Sequence, residues 1–365
     1  MTTTSKSVMQ ALQDMSVRLT TQPKTKPDQS KLGFGQYFSD HMFVSEYKPN
    51  QPWTQPKITP YEPLTLDPAA SVLHYGQALF EGMKAFRQNN GRIVLFRPEF
   101  NAHRMIDGAN RLCMLAPPVD YFVEAVKKIV KVDSSWVPNS KSCSLYIRPT
   151  LIGSEGFLGV RPSENFLFYV ILSPVGSYYK EGIAPVKIHV EDKFLRAAPG
   201  GLGATKAGAN YAASLKAALE AKKHGYAQVL WLDVNHKYIE EVGTMNVFFV
   251  INGKIITPEL SGSILEGGVR NSTIALIKKQ NLPFEERKIS MQEVVDAYKS
   301  GQLQEAFGTG TAAVISPIGE LEYQSQKMLI NGGQIGSIAQ KLYNTITGIQ
   351  YGDLPDEDNW IVPVE

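Results

Sequence analysis

The chain has 365 residues, of which 43% are hydrophobic and 20% are charged. These proportions exclude a disordered protein and a collagen-like fibre, and two cysteines in so long a chain exclude a disulfide-stapled miniprotein. Lysine and arginine total 37 against 35 acidic residues, so the net charge of +2 gives no electrostatic reason to expect nucleic acid or a membrane as a partner. At this length we expect two domains, each with its own core.

The first thirty residues are rich in Thr, Ser, Lys and Pro and lack the apolar segment of a secretory signal. We interpret residues 1–30 as a loosely ordered arm. No acidic residue precedes Asp14, so organelle import stays open, although Asp14 and Asp28 argue against it. Cys113 and Cys143 have no C-x-x-C spacing, which favours a reducing compartment and hence a cytoplasmic location.

Residues 31–175 read as a small α/β domain. The longest wholly apolar run, Phe166–Leu172, is too short to cross a bilayer and has the length of a buried strand. Pro98 begins a helix, since proline is tolerated in the first helical turn. The other predicted elements are strands at Arg92–Phe96, Leu145–Arg148 and Asn165–Leu172 and an amphipathic helix at Tyr121–Val132.

Pro174, Gly176 and Gly182 interrupt this pattern and predict an interdomain linker at residues 176–185. The larger domain then spans residues 186–365. We therefore predict a two-domain protein of mixed α and β structure, either α+β or α/β.

Periodicity, turn residues and caps predict the elements of the larger domain. Asn252-Gly253 between two strand-forming runs is a strong hairpin signal, and Ser290 with Glu293 forms a helix capping box. The elements are strands at Val186–Val190, Gln228–Asp233, Lys237–Ile251 and Lys254–Thr257, and helices at Tyr211–His224, from Ser290 to Lys299 and at Ile335–Ile349.

A glycine-rich segment, GGLGATK at 200–206, ends in Lys206. A nucleotide-binding phosphate loop needs Gly before the lysine and Ser or Thr after it, but Thr205 and Ala207 stand there. A lysine among small residues loses hydration, so its pKa falls and it can form an imine. The local sequence alone favours the alternative, an ordinary solvated lysine.

Glu240 and Glu241 lie in a predicted strand, where neighbouring side chains point to opposite faces. One carboxylate can therefore point inward while the other is solvated. A buried carboxylate needs a cation or donor, and a protonated ring nitrogen would serve. The alternative is that both glutamates lie at a wet end of the strand.

Two segments have the composition of anion sites. Gly267–Arg270 opens a predicted helix at Asn271–Gln280, and GTGTAA at 308–313 offers successive amides and hydroxyls. Arginines at 97, 104 and 111 share one helical face, so one of them can reach an anion while the others stay solvated. Simple turns and a solvent-facing charge stripe are the alternatives.

The histidines show no metal-site spacing, so no metal is expected, and a G-x-S-x-G motif is absent. Taken together and in this order, several segments resemble the branched-chain amino acid aminotransferases, pyridoxal-phosphate enzymes of fold type IV. The likeness runs from Leu32 to Gly352. Its motifs are FGQYFSDHM from Phe34, LHYGQALFEGMKAF from Leu73, SLYIRP from Ser144, GGLGATKAGANY from Gly200, EEVGTMN from Glu240, ILEGGVR from Ile264 and GTGTAAVISP from Gly308.

The resemblance implies a role for each matching residue. Lys206 would bind the cofactor as an imine and act as the catalytic base, and Glu241, the second catalytic residue, would bond the pyridine nitrogen. The other implied pyridoxal 5′-phosphate contacts are Arg104, Tyr211, Thr244, Leu265, Gly268, Val269 and Thr311. The implied substrate contacts are Phe34, Tyr75, Phe80, Tyr146, Arg148, Tyr178, Thr311 and Ala312.

The implied reaction is transamination of L-leucine, L-isoleucine and L-valine with 2-oxoglutarate, ping-pong through pyridoxamine phosphate, in a homodimer. Glu266 departs from the family pattern, and its charge is compatible with a nearby phosphate only if it faces solvent. Ala313 and Ser316 replace the redox cysteines of mammalian members. Two alternatives stay open: another fold type IV enzyme, such as a D-amino acid aminotransferase or aminodeoxychorismate lyase, or a non-catalytic small-molecule binding protein.

Overall fold

The computed structural model describes residues 5–49, 51–176 and 183–365. It divides into an N-terminal unit, Met1–Tyr178 with Thr205–Gly208 and Ile349–Glu365, and a C-terminal unit, Tyr179–Ala204 with Ala209–Gly348. Both units contain helices and strands, so the predicted mixed α and β class is confirmed. Among the described residues, no helix combines the length and the apolar character that crossing a bilayer requires.

The first half of the chain forms four helices and eight strands within its described residues. In chain order they are α1 Ser5–Gln13, β1 Ser16–Val17, β2 His41–Lys48, β3 Gln51–Pro60, α2 Ser71–Tyr75, β4 Ala78–Phe80, β5 Met83–Arg87, β6 Ile93–Phe96, α3 Pro98–Arg111, α4 Val119–Val132, β7 Ser144–Gly153 and β8 Phe166–Val175.

The second half adds the remaining helices and strands. In chain order they are β9 Val186–Glu191, α5 Gly208–Lys223, β10 Gln228–Leu232, β11 Ile239–Val242, β12 Met245–Ile251, β13 Lys254–Thr257, α6 Gly268–Lys279, β14 Phe284–Glu286, α7 Met291–Lys299, β15 Leu303–Gly310, β16 Val314–Tyr323, β17 Gln326–Leu329, α8 Ser337–Tyr351 and β18 Ile361–Pro363.

The sheet of the N-terminal unit has the strand order β1-β3-β2-β8-β7-β5-β6-β18, with β4 beside β7. Its neighbours are antiparallel except β1 and β3. Helix α4 buries Phe122, Val126 and Ile129, and Phe122 packs against Phe168 of β8. The helical spacing of its apolar residues therefore becomes one buried face over the sheet.

The sheet of the C-terminal unit has the order β11-β10-β9-β16-β15-β12-β13-β14, with β17 beside β16. Strand β11 also pairs with β12, so the pairing path from β11 through β9 to β12 closes on itself. Fully buried residues such as Leu230, Val247 and Phe249 form its core with apolar residues of α7. Strand ends and connections carry the predicted functional residues, on a packed support.

Part of the expected loose arm is ordered in the structure. Residues 5–13 form α1, in which Val8 and Leu12 are buried, and β1 pairs with β3. The expectation is wrong for these residues because Val8 and Leu12, four positions apart, lie on one helix face that is removed from water.

Two stretches expected in the C-terminal domain belong to the N-terminal unit: Thr205–Gly208, which includes Lys206, and Ile349–Glu365. The first is held by a bridge between Leu79 and Ala207. The second is held by pairing of β18 with β6 and by the hydroxyl of Tyr351, which donates to the Cys143 carbonyl at 2.9 Å. Both depend on pairing between distant segments, so local sequence patterns do not reveal them. Part of the predicted 176–185 linker lies outside the described residues.

Candidate active site

Lys206 lies in the N-terminal unit, beside strand β4. The Phe80 amide donates to the Lys206 carbonyl at 3.2 Å, which fixes the lysine backbone against the strand. The Lys206 amine is 5.1 Å from the centre of the Phe80 ring, and the side chain is half-buried. The structure therefore favours the crowded lysine over the solvated alternative.

The surroundings of the Lys206 amine favour its neutral form. Burial lowers the pKa of Lys206 from 10.5 to about 8, and the positive charge of Arg104 acts in the same direction. Glu81 and Tyr146 oppose this shift, and Arg148 adds to it. An amine with this pKa is neutral often enough near pH 8 to act as a nucleophile.

This lowered pKa predicts how covalent attachment of pyridoxal phosphate to the apo-protein depends on pH. With a pKa of about 8, about one Lys206 amine in ten is neutral at pH 7, against about one in three thousand for an unshifted lysine. We expect the attachment rate, followed by absorbance, to rise about tenfold per pH unit up to pH 8 and then to level off. A free amine reacted in parallel corrects for ionisation of the aldehyde, and a corrected rate still rising at pH 10 would contradict the assignment.

Arg104 is fixed by Glu81, a residue to which the sequence analysis gave no role. Its Nε donates to Glu81 Oε1 at 2.8 Å and its Nη2 to Oε2 at 2.7 Å, and Asn101 donates to Oε2 at 2.7 Å. Burial alone would raise the pKa of Glu81, but Arg104, with Lys206 and Asn101, holds it below its ordinary value. One signal was available, because a glutamate inside the apolar run ALFEGMKAF needs a buried partner.

The predicted face of three arginines is confirmed in part. Arg104 points inward, with 11% of its side chain exposed, whereas Arg111 is exposed. Arg97 lies just before α3, in a left-handed conformation with φ of 50°. Only Arg104 of the three is held in a buried ion pair, and this makes it the candidate for binding an anion.

Four of the predicted substrate residues lie together in the N-terminal unit. The Arg148 guanidinium is 4.5 Å from the Phe80 ring centre, and its Nη2 donates to the Tyr146 hydroxyl at 3.2 Å. The rings of Phe34 and Tyr146 meet edge to face, with centroids 4.9 Å apart. The Tyr146 hydroxyl occupies the space that a Cβ at Gly82 would need, so this glycine permits the arrangement. The group combines apolar walls with one positive charge.

Two other predicted substrate residues are not placed in this group. Tyr75 ends α2, is 44% exposed, and its hydroxyl donates to the Leu158 carbonyl. Tyr178 lies outside the described residues.

In the C-terminal unit, Glu240 and Glu241 lie on β11, each 4% exposed. Both the expectation that one of them is solvated and the alternative of a wet strand end are wrong. Strands β10 and β12 pair with the two edges of β11, and the Ser263 hydroxyl donates to Glu240. The predicted single strand 237–251 is also wrong, because Gly243, with φ of +57°, turns the chain between β11 and β12.

Glu241 holds the backbone of Leu265, the residue predicted to stack on the cofactor ring. Glu241 Oε1 accepts from the Leu265 amide at 2.8 Å, and the Asn246 side chain donates to the Leu265 carbonyl at 2.8 Å. Sequence reasoning gave Asn246 no role. Glu241 Oε1 also lies 3.2 Å from Arg196 Nη2, in a buried ion pair. Leu265 therefore has a fixed backbone position relative to Glu241.

Helix α6 begins at Gly268, three residues earlier than predicted, and its N-cap residue, Gly267, provides no side-chain cap. Gly267 packs so closely on Asn246 Oδ1 that a Cβ there would overlap with it. Glu266 is exposed and accepts from Asn271 at 2.9 Å, so its charge faces solvent as expected. This glycine-flanked helix N-terminus has the chemistry of a phosphate site formed by Gly268 and Val269.

The remaining predicted cofactor and substrate residues of this unit lie at strand ends and on α5. Thr244 is exposed in the turn between β11 and β12, and Tyr211 is half-buried in α5. Thr311 and Ala312 are half-buried in the connection between β15 and β16, which the sequence pattern placed correctly ahead of a strand.

Comparison with protein families gives a match to the class IV amino-transferases over residues 78–321. The chain is also 54% identical to "Branched-chain-amino-acid aminotransferase 2" of Bacillus subtilis (strain 168), over 96% of this chain and 97% of the relative. The similarity thus extends beyond the matched domain to nearly the whole length of both proteins.

Solved structures show the same architecture. A branched-chain amino acid aminotransferase of Escherichia coli is 26% identical, with a TM-score of 0.74, and the match covers 88% of this chain and 99% of that one. A branched-chain aminotransferase of the thermophilic archaeon Thermoproteus uzoniensis, solved with norvaline, is 26% identical, with a TM-score of 0.74 and coverage of 89% and 100%. A third branched-chain amino acid aminotransferase, from T.th., was solved with pyridoxamine 5′-phosphate and is 25% identical, with a TM-score of 0.75 and coverage of 88% and 98%.

Proposed function

The chain belongs to the class IV aminotransferase family, and on this premise we propose that it transaminates L-leucine, L-isoleucine and L-valine with 2-oxoglutarate. The products are the branched 2-oxo acids and L-glutamate. The observation that carries the proposal is Lys206, whose amine packs against Phe80 and whose pKa burial lowers to about 8, at the position matching the cofactor lysine. The similarity to branched-chain-amino-acid aminotransferases over nearly the full length supports this choice of substrates.

Pyridoxal 5′-phosphate supplies this family with an electron sink for the charge that develops at the substrate Cα. The described residues fit that cofactor, because they include an amine of lowered pKa, a buried carboxylate and an uncapped glycine-flanked helix N-terminus. We assign covalent attachment to Lys206, the pyridine nitrogen to Glu241 and the ring face to Leu265. The ring hydroxyl is assigned to Tyr211, and the phosphate to Arg104, Thr244, Gly268, Val269 and Thr311.

Lys206 has two roles in the proposed reaction. Its neutral amine binds the cofactor, and after an amino acid displaces it, the freed amine takes the proton from the substrate Cα and returns it on the cofactor side. Positioned proton transfer alone contributes about 10²–10⁴-fold to rate. Lys206 therefore carries a larger part of catalysis than any single phosphate contact.

The substrate residues must serve an aliphatic and an acidic side chain in turn. Phe34, Phe80 and Tyr146 supply apolar walls for leucine, isoleucine and valine, and Tyr178 is assigned to the same wall. The Thr311 and Ala312 amides are assigned to the α-carboxylate. Arg148, stacked on Phe80, and Tyr75 are assigned to the distal carboxylate of glutamate and 2-oxoglutarate.

The direct test is an assay of L-leucine with 2-oxoglutarate, alongside D-alanine and aminodeoxychorismate as substrates of the two other fold type IV enzymes. Turnover of L-leucine alone supports the proposal, and turnover of either other substrate without L-leucine overturns it. A protein that stays colourless after addition of pyridoxal phosphate would instead favour a non-catalytic binding protein.

Arg148→Met should separate the two half-reactions. Removing the guanidinium while keeping side-chain bulk should lower kcat/KM for glutamate by about 10- to 100-fold, because a charged hydrogen bond is lost. The same constant for L-leucine should change by less than about threefold, since its side chain meets only the apolar walls. Arg18→Met, at a 65% exposed arginine paired with Glu62, is the control. Equal losses for both substrates would remove Arg148 from specificity.

We further propose a homodimer in the cytoplasm. The resemblance to the family supports the dimer, and the free thiols of Cys113 and Cys143 support a reducing compartment. Sedimentation at twice the mass of the chain is the expected result, and a monomer would contradict it.

A further inference from the structure

Arg196 is a buried cation with no role in the reaction as derived so far. It lies between β9 and α5 and is 9% exposed. Its Nη2 donates to the Gly203 carbonyl at 3.3 Å and to the Ser263 carbonyl, and lies 3.2 Å from Glu241 Oε1. One guanidinium nitrogen therefore contacts three separate segments of the C-terminal unit.

Each of these segments carries a proposed cofactor contact. Gly203 lies three residues before Lys206, Ser263 lies two residues before Leu265, and Glu241 is itself assigned to the pyridine nitrogen. The Gly203 and Ser263 backbones pack so closely that a Cβ at Gly203 would overlap with the Ser263 carbonyl. The arginine therefore binds two backbones at a point where they cannot move apart without losing its hydrogen bonds.

The charges around Arg196 are unbalanced. Glu240 and Glu241 are adjacent buried carboxyls, and one guanidinium cannot neutralise both. Its nearest carboxylate oxygen belongs to Glu241, whereas Glu240 accepts from the Ser263 hydroxyl and its Oε2 has no partner among the described residues. Burial raises the pKa of Glu240, against the opposing effects of Ser263 and Arg196. The arrangement places the negative charge of the pair on Glu241.

We propose that Arg196 is a positioning residue that keeps Glu241 ionised and fixes its carboxylate through their ion pair, while joining the Lys206 and Leu265 segments. This inference rests on the proposed function, because it acts through the contact assigned to Glu241. Loss of the guanidinium leaves a buried carboxylate without its cation, so Glu241 binds a proton more readily. The pyridine nitrogen of the bound cofactor is then less often protonated, which makes the lysine-linked imine more basic.

The test compares Arg196→Met with Arg196→Lys in the full-length protein. For Arg196→Met we expect the dissociation constant of pyridoxal phosphate from the apo-protein to rise about 10- to 100-fold. The pH midpoint of the visible band should rise by about one unit, while KM for L-leucine stays within about threefold. Arg196→Lys keeps the charge and should recover part of both shifts. Arg287→Met, which breaks ion pairs with Glu285 and Glu293, should leave both quantities unchanged.

A double-variant cycle with Glu241→Gln distinguishes positioning from a structural role. If Arg196 acts through Glu241, Arg196→Met should shift the midpoint little further in the Glu241→Gln background. Additive shifts, or a lowered melting temperature with an unchanged midpoint, would overturn the inference. Should Arg196→Met fail to fold, the Arg196→Lys midpoint decides, and an unshifted value would be a negative result. Failure of the proposed function is distinguishable, because Glu241→Gln would then have no effect by itself.

Discussion

Replacing Lys206 with alanine is expected to lower turnover of L-leucine by more than about 10⁴-fold, because covalent attachment and positioned proton transfer are lost together. The visible band of the lysine-linked cofactor should disappear. Borohydride reduction of the unmodified protein should attach the cofactor irreversibly to Lys206, identified by peptide mapping. These results require only that the amine packed against Phe80 is the one that reacts.

Lys84 supplies the matched control for this experiment. It is 8% exposed, and burial lowers its pKa to about 8, as burial does for Lys206. If desolvation alone made a lysine reactive, reduction would label both. We expect label on Lys206 only, and Lys84→Met should keep the band. A Lys206→Ala protein that retains the band, or label found on Lys84, would contradict the assignment.

Local signals in the sequence predicted local structure well. The Asn252-Gly253 turn joins β12 and β13 in an antiparallel hairpin, with φ of 49° and 73° at its two residues. The Ser290 hydroxyl accepts from the Glu293 amide at 3.1 Å and caps α7. In each case the stabilising interaction joins residues within a few positions of one another, so the sequence contains both partners.

Pairing between distant residues could not be predicted in this way. Glu81 binds Arg104 across 23 positions, and Arg196 meets Glu241 from another element. A motif identifies Lys206 and Glu241, but the groups that set their charge come from segments with no shared pattern. The resemblance therefore locates the reacting residues, and the structure adds the charges that tune them.

The second large effect is expected at Glu241. Glu241→Ala should lower turnover by about 10- to 150-fold, since a charge-assisted bond to the pyridine nitrogen contributes about 1.5–3 kcal/mol. The lysine-linked band should remain, because Lys206 is intact. Alanine also removes the acceptor of the Leu265 amide. Glu241→Gln keeps an acceptor oxygen there and removes only the charge, so comparison of the two variants separates the carboxylate charge from its structural role.

Stability must be measured beside turnover, because either change leaves Arg196 buried without its carboxylate. Breaking a buried ion pair from one side typically costs about 3–5 kcal/mol. In the Glu241→Gln, Arg196→Met double variant the unpaired cation is gone, so we expect the melting temperature to recover in part. Turnover should stay low, since no carboxylate then faces the ring nitrogen. If turnover recovers together with stability, Glu241 supports the fold and some other group must protonate the cofactor ring.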